Sequence, residues 1–489
     1  MVHAHVISDY TSSPIDSHLG VCCLALSSVL GPRVSFPNTT AYHSSLTSYF
    51  TQQNSNLHPR CIVFPETAQD VSTAITTLTS TSQPHCPFAI RSGGHAYNTG
   101  FSNIQNGITI DLTSLNNITL TDDRETVSVG AGATWGDVYA VLEPIGLSVP
   151  GGRAAQVGVG GLALGGGISY FSPRYGWTCD SVSNFEIVLA NGSIANANSK
   201  HNPDLRIALC GGGAANFGVV TRLDIRTFAQ GDIWGGSVYY ALDTIEGQLR
   251  AFEKLNSPEA YDDYASLITS FGFTGEQGPA IVNSIVYTKD EEFPAVYEPF
   301  FELPSLQSTV RIAPLSEIAA EQGSFSPDGK RQLSVVTTHD STLPMLNATF
   351  HRWNASLPAL QTIPGIVLAL SLDPLPPSIY ARFATENSMG LSETTGSYVV
   401  AQLTATWENE EDDQTVEETA RLLFDGIERD ARRLGAYNPY LYLNYAAEWQ
   451  DPIASYGRES VERLRRVRRE VDPAGVFRGM VPGGFKVPV

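Results

Sequence analysis

Three runs in the first half of the chain are almost bare of side chains: "RSGGHAYNTG" at 91–100, "GVGGLALGGG" at 158–167 and "GGGAANFG" at 211–218. Each reads as a tight turn adjoining a strand. Glycine lets the backbone turn where other residues are strained and lets it approach a ligand closely. Successive unencumbered N–H groups also form concave nests for anions. One such turn is ordinary structure. Three in one region point to a large cofactor held mostly by main chain.

The motifs of other chemistries do not occur. The second run can be forced onto G-x-G-x-x-G/A through Gly158, Gly160 and Ala163. It follows "VPGGRAAQ" rather than a strand, however, and no helical pattern opens on it, which argues against a nicotinamide-type Rossmann site. GxxxxGK[ST], GxSxG and HExxH are absent, so P-loop, nucleophile-elbow and metalloprotease readings lack their motifs. Six cysteines, at 22, 23, 61, 86, 179 and 210, form no CxxC pair and have no histidine at zinc spacing, so no metal site is expected.

The formal net charge of −20 excludes nucleic acid and anionic membrane surfaces as partners, because phosphate recognition draws on clustered Lys and Arg. The one basic run, "RLRRVRRE" at 463–470, carries Val461, Leu464, Val467 and Val471 at helical spacing and reads as a solvated helix face. "WENEEDDQTVEE" at 407–418 reads as an exposed turn entering a helix. No apolar stretch has the ~18 residues of a membrane helix. The longest near the start, "LGVCCLALSSVLG" at 19–31, follows Asp9 and Asp16 rather than the positive charge of a secretory signal. A disulfide from Cys22 or Cys23 to Cys61, and sequons at Asn38, Asn117, Asn191, Asn347 and Asn354, lean the other way, toward a secretory compartment; the alternative is cytoplasmic.

A chain of 489 residues exceeds one ordinary core. From 57 to 228, short strands such as "CIVFP", "FAI", "ITIDL", "VSVGAG", "NFEIVLANG" and "FGVVTRLDI" alternate with helices "AQDVSTAITTLTS" and "TWGDVYAVLEPIG". Asp70 lies in the first turn of the first helix. Thr134 can cap the second, with Asp137 at its third position. This is an α+β pattern, helices over a mixed sheet, expected to make a first domain of 1–228. Residues 229–439 mix longer helices with strands such as "AIVNSIVYT" and "YVVAQLTATW", as expected of a substrate domain with an antiparallel sheet backed by helices. The loop-rich segment 440–489 is expected to return to the first domain. No internal repeat is evident.

His95 stands out. A neutral imidazole is a competent nucleophile toward an electrophilic carbon, such as an activated methyl group on a cofactor, and the glycines beside it would let that carbon reach the ring.

Motifs in order along nearly the whole chain carry a resemblance. They are "PETAQDV", "RSGGHAYNTG", "TWGDVY", "GGRAAQVGVGGLALGGGISYFSPRYGWTCDSV", "NFEIVLANG", "GGGAANFGVVT", "YLNYA" and "DPAGVF" followed by "GGFK". The chain resembles the berberine-bridge-enzyme-like branch of the vanillyl-alcohol-oxidase flavoproteins, especially its secreted fungal members. That resemblance implies a PCMH-type FAD-binding domain of two subdomains, with His95 bonded to the 8α-methyl carbon of FAD. Bicovalent relatives have a cysteine where this chain has Ala154, so one covalent bond is implied. Arg91, Ser92, Gly93, Gly94 and Gly100 match the pyrophosphate loop. Gly158, Gly160 and Gly161 match a second wall along the flavin, with Gly218 and Val219 nearby, and Val157 matches a gatekeeper for oxygen. Arg206, Ile207, Cys210 and Ser181 depart from the family pattern.

Tyr445 matches the family's catalytic base, with Tyr442 in reserve, and Asn444 matches a residue lying against the flavin. In an extended segment Tyr440, Tyr442 and Asn444 would share one face and Tyr445 the other, so both roles require a bend here. The activity implied is that of a monomeric oxidase. Tyr445, its pKa lowered, takes a proton while hydride passes from an alcohol or activated C–H of a small molecule to FAD, and O2 is reduced to H2O2. A flavin-dependent isomerase or cyclase (including Diels–Alder type) and a carbohydrate oxidase are the alternatives.

Overall fold

The computed structural model describes residues 14–80, 85–259, 261–391 and 396–489, the side chains from residue 20 onward. Strands β1 (Val34–Ser35), β2 (Cys61–Val63), β3 (Phe88–Arg91) and β4 (Ile108–Asp111) form a sheet in the order β1-β2-β4-β3. The β2 and β3 strands run parallel to β4, and such pairing requires crossovers. Helix Ala68–Thr79 is one of them, and buries Val71, Ala74, Ile75 and Leu78 at one helical face. Asp70 closes a capping box there, but with Thr67, which the sequence reading did not single out.

Next come β5 (Ile118–Leu120), β6 (Thr126–Gly130), β7 (Leu147–Ser148), β8 (Val182–Val188), β9 (Ile194–Asn198), β10 (Val219–Arg226) and β11 (Phe228–Ala229). Five of them make an antiparallel sheet ordered β5-β6-β10-β8-β9, and β7 pairs with β11. Helix Trp135–Leu142 starts at the expected Thr134–Asp137 capping box and buries Trp135, Val138, Tyr139 and Leu142.

The remaining strands are β12 (Ile233–Tyr240), β13 (Ala265–Thr274), β14 (Gly278–Tyr287), β15 (Ser305–Ser308), β16 (Arg311–Ala313), β17 (Arg331–Asp340), β18 (Val367–Leu375), β19 (Tyr398–Trp407) and β20 (Tyr437–Asn438). They form one nine-stranded antiparallel sheet, β15-β12-β14-β13-β18-β19-β17-β20, with β16 also on β12. Helices Ile245–Leu255, Leu343–Ser356 and Asp413–Leu434 cover one face and close a second hydrophobic core. Its other face is free to line a site.

After β20 the chain turns back to the first core. Tyr440, Tyr442, Leu464, Phe477 and Val487 are buried in it, and Phe88 donates its N–H to the Met480 carbonyl. Helix Gly457–Val471 buries Val461, Leu464 and Val467, while within the basic run Arg466 and Arg469 are exposed, Arg466 pairing with Asp204, and Arg463, Arg465 and Arg468 are part-buried at its margins.

All six cysteines are paired. Cys23 takes Cys61, Cys22 takes Cys86, and Cys179 takes Cys210. The first two bridges pin helix Pro14–Leu30 to the chain around β2 and β3.

Candidate active site

The three glycine runs converge on one cavity of about 700 Å³, between the first two sheets and the bare face of the nine-stranded sheet. The first run follows β3 directly, and the third precedes β10. The second differs from expectation on two counts. Its only strand-like contact is an isolated bridge between Gly158 and Thr134, and a short helix, Val159–Leu164, does open on it. Six residues containing two glycines are too few to show a helical period, which is why the pattern hid it.

Glycine is required where the first two runs cross. A Cβ on Gly93 would lie 2.6 Å from the Gly158 Cα, and one on Gly158 would lie 2.5 Å from the Gly93 nitrogen. Ser92 donates its hydroxyl to the Ala131 carbonyl at 2.5 Å and steadies the crossing. By contrast, a Cβ on Gly161 would meet nothing within 4 Å. Protein packing does not demand glycine there, so its effect is to keep the cavity wall bare. Gly158→Ala is therefore expected to pry the two turns apart at a cost of about 1–3 kcal/mol. The measurement is the flavin-to-protein absorbance ratio of the purified variant, which should fall about tenfold.

Ser92, Gly93, Gly94 and His95 line the cavity, as do Val157, Gly158, Gly160, Gly161, Gly218, Val219, Tyr442, Asn444 and Tyr445. Arg91 and Gly100 do not. The Arg91 guanidinium turns inward to Asp111 (3.3 Å), the Ser45 and Ser48 carbonyls and the Tyr49 ring. A buried cation needs these partners, and Arg91 thereby buttresses the turn from behind. The Gly100 N–H donates to Asn54 Oδ1, holding the end of the run.

His95 faces the cavity. Its ring stacks on Phe50 with centroids 3.7 Å apart, and its shielded Nε2 has no hydrogen-bond partner. Burial pushes its pKa down to about 4, so the ring is neutral at physiological pH. Buried ring nitrogens are normally satisfied. A neutral, underemployed imidazole beside three bare turns fits a large cofactor with an electrophilic carbon.

The bend required near Tyr445 exists. Leu443–Tyr445 forms one 3₁₀ turn, which brings Tyr442, Asn444 and Tyr445 to the same cavity. The two tyrosines then differ sharply. Tyr442 Oη accepts hydrogen bonds from the Gly167 and Ile168 N–H groups, both at 3.1 Å, and from Asn444 Nδ2 at 2.9 Å. Its oxygen is committed to holding the second glycine run. Tyr445 Oη accepts one bond, from Arg153 Nη2 at 2.5 Å. The expected lowering of the Tyr445 pKa is not found: burial raises it well above the usual phenol range, with the Arg153 charge opposing.

Arg153 and Asp373 were not anticipated. The guanidinium forms a two-point contact with Asp373 on β18, at 2.8 and 3.3 Å. Arg153 stood in plain view beside Ala154, and Asp373 is the one charge in the otherwise neutral "IVLALSLDP". They are also the only formally charged side chains on the cavity wall among the described residues. The sheet floor is small and neutral, with Ser270 and Gly272 from β13, Ala280 from β14, Ala369 and Ser371 from β18, and Thr404 from β19.

The cluster Cys179, Asp180 and Cys210 is not a thiolate metal site, because the two sulfurs are bonded to each other.

Comparison with known proteins adds four findings. The FAD binding domain family matches residues 59–198. An FAD-dependent monooxygenase of Emericella nidulans is 37% identical over 96% of this chain and 98% of its own length. A Diaporthe leptostromiformis protein named an oligopeptidase is 42% identical over 93% of this chain, which spans only 36% of that longer polypeptide. Among solved structures, a berberine-bridge-enzyme-like protein of Physcomitrella patens superimposes with a TM-score of 0.77 at 19% identity, covering 96% of this chain and 99% of that one.

Proposed function

This chain belongs to the FAD-linked oxidoreductases of the berberine-bridge-enzyme-like, vanillyl-alcohol-oxidase type, and on that premise we propose that it is an oxidase carrying FAD bonded once, through His95. The observation that carries the covalent reading is a neutral imidazole, its Nε2 without a hydrogen-bond partner, set among three glycine turns. Ala154, which lines the cavity near Val157, has no nucleophile to offer, and this supports a single bond.

Bound FAD would supply a two-electron acceptor and pass the electrons to O2. The chain's own residues supply the rest. Ser92, Gly93, Gly158 and Gly218 would hold the cofactor through main chain, with Asn444 against it. The sheet floor would seat the substrate, and its one charge, Asp373, is paired with Arg153, which supports an uncharged organic molecule with hydroxyl groups, such as one from a natural-product pathway. Tyr445 would take the proton of the reacting hydroxyl at Oη. Tyr442 would not share that role, because its oxygen already accepts three bonds.

The test is anaerobic mixing of the holoenzyme with a panel of neutral primary and secondary alcohols and aromatic carbinols. Loss of the 450 nm band, its return when oxygen is admitted, and one H2O2 per product are the expected results. Product formed without bleaching would replace this reading with an isomerase or cyclase. Relatives named monooxygenases favour one further reading, insertion of an oxygen atom, and ¹⁸O2 decides it, since label in the product would exclude the simple oxidase.

Three disulfides, with exposed sequons at Asn38, Asn117, Asn191 and Asn354, support passage through an oxidising secretory compartment. Protein secreted from a eukaryotic host is expected to lose apparent mass on treatment with an N-glycan-releasing amidase. An unchanged mass would count against that compartment.

A further inference from the structure

We propose that Arg153 is a positioning residue that sets the charge state of Tyr445, anchored in turn by Asp373; this rests on the reading of Tyr445 as the base. Arg153 comes from the loop after β7, in the first half of the chain, and Asp373 from β18 in the nine-stranded sheet, 220 residues away. Both are at least nine-tenths buried, with side-chain exposures of 9% and 2%. A guanidinium offers five N–H donors in a rigid fork. Here Nη1 and Nη2 meet the two carboxylate oxygens, and Nη2 also reaches Tyr445 Oη.

That geometry has a definite electrostatic sense. A cation donating to a phenol oxygen favours the phenolate, whereas the carboxylate behind it favours the neutral phenol. The other groups facing Tyr445 are phenols. Tyr442 stands edge-on at 4.7 Å, and Tyr97 approaches from the first glycine run. Beyond the ion pair, Tyr170 and Tyr261 face Arg153. None is cationic, and His95 is neutral, so no other group on the wall can replace Arg153. A buried phenol whose pKa burial has raised can act as a base only with such a partner. Asp373 then keeps the guanidinium in place and leaves the site neutral overall until the phenol ionises.

The experiment places 3,5-difluorotyrosine at position 445 of the holoenzyme and follows its single ¹⁹F resonance against pH, with no substrate needed. Arg153→Met is expected to raise the ionisation midpoint by about one pH unit or more, with Arg153→Lys falling between it and the unchanged protein. Asp373→Asn is expected to move the midpoint the opposite way. Because each single change strands a buried charge, Arg153→Met combined with Asp373→Asn is the folding-safe variant. Its midpoint should still lie above that of the unchanged protein, since the lost cation is the direct contact. A merely structural role predicts no such opposed shifts, and coincident midpoints across the series would overturn the proposal. The base reading fails separately: a Tyr445→Phe enzyme that bleaches at the normal rate would remove it and leave these midpoints where they are.

Discussion

Replacing His95 by alanine is expected to abolish flavin retention through acid precipitation, from a fully yellow pellet in the unchanged protein to a colourless one. Burial holds the His95 pKa near 4, so at pH 7 fewer than about one ring in a hundred is protonated and the neutral ring keeps the one nitrogen lone pair that can attack carbon. The three glycine turns do not depend on His95, so the variant is expected to bind FAD reversibly, with the colour passing into the supernatant. Phe50 loses its stacked neighbour, a packing cost of about 1 kcal/mol that should leave folding intact. The same pKa gives a second reading with a defined sign. An ordinary imidazole is mostly protonated at pH 5.5 and would attack poorly. Covalent attachment to flavin-free protein supplied with FAD should therefore continue at pH 5.5 and fail only as the pH nears 4. Attachment that fell with a midpoint near 6.5 would mean that His95 is open to solvent. A yellow pellet from His95→Ala would refute the tether outright.

What could be read beforehand and what could not divide along physical lines. Bare turns, capping residues and strand alternation are local, and most were legible, the Thr67 cap and the short helix Val159–Leu164 excepted. The glycine runs do line one cavity, the Thr134–Asp137 box forms, and the alternation of Tyr440, Tyr442, Asn444 and Tyr445 demanded the bend that Leu443–Tyr445 supplies. Side-chain direction was not legible. Arg91 belongs to the RxGGH motif, yet its charge is neutralised by Asp111 behind the turn, because the next strand supplies a buried carboxylate there. Pairings across long separations were also hidden. Nothing near Arg153 announces Asp373, and nothing near Cys179 selects Cys210. The lowered pKa expected for Tyr445 failed for a related reason. Its environment is set by burial between two halves of the chain, and burial outweighs the single cation.

The Tyr445→Phe and Tyr442→Phe variants, taken together, assign the proton transfer. Tyr445→Phe removes one oxygen whose sole protein partner is Arg153, which keeps its two-point contact with Asp373. The loss of one bond should cost about 1 kcal/mol of stability. Flavin content should be unchanged, while the rate of anaerobic bleaching falls on the order of 10²–10⁴-fold, as expected for loss of a general base. Tyr442→Phe strands two backbone donors, the Gly167 and Ile168 N–H groups, and takes one of two acceptors from the Asn444 amide, which keeps the Leu162 carbonyl; stranded buried donors cost about 1–3 kcal/mol each. That variant should melt several degrees lower and load less flavin, yet its loaded fraction should bleach within about tenfold of the normal rate. The edge-on ring contact at 4.7 Å survives in both, so packing does not confuse the comparison. If the two outcomes were exchanged, with Tyr442→Phe inert and Tyr445→Phe merely unstable, the proton would leave through the other phenol, and the three bonds to its oxygen would have to loosen when substrate binds.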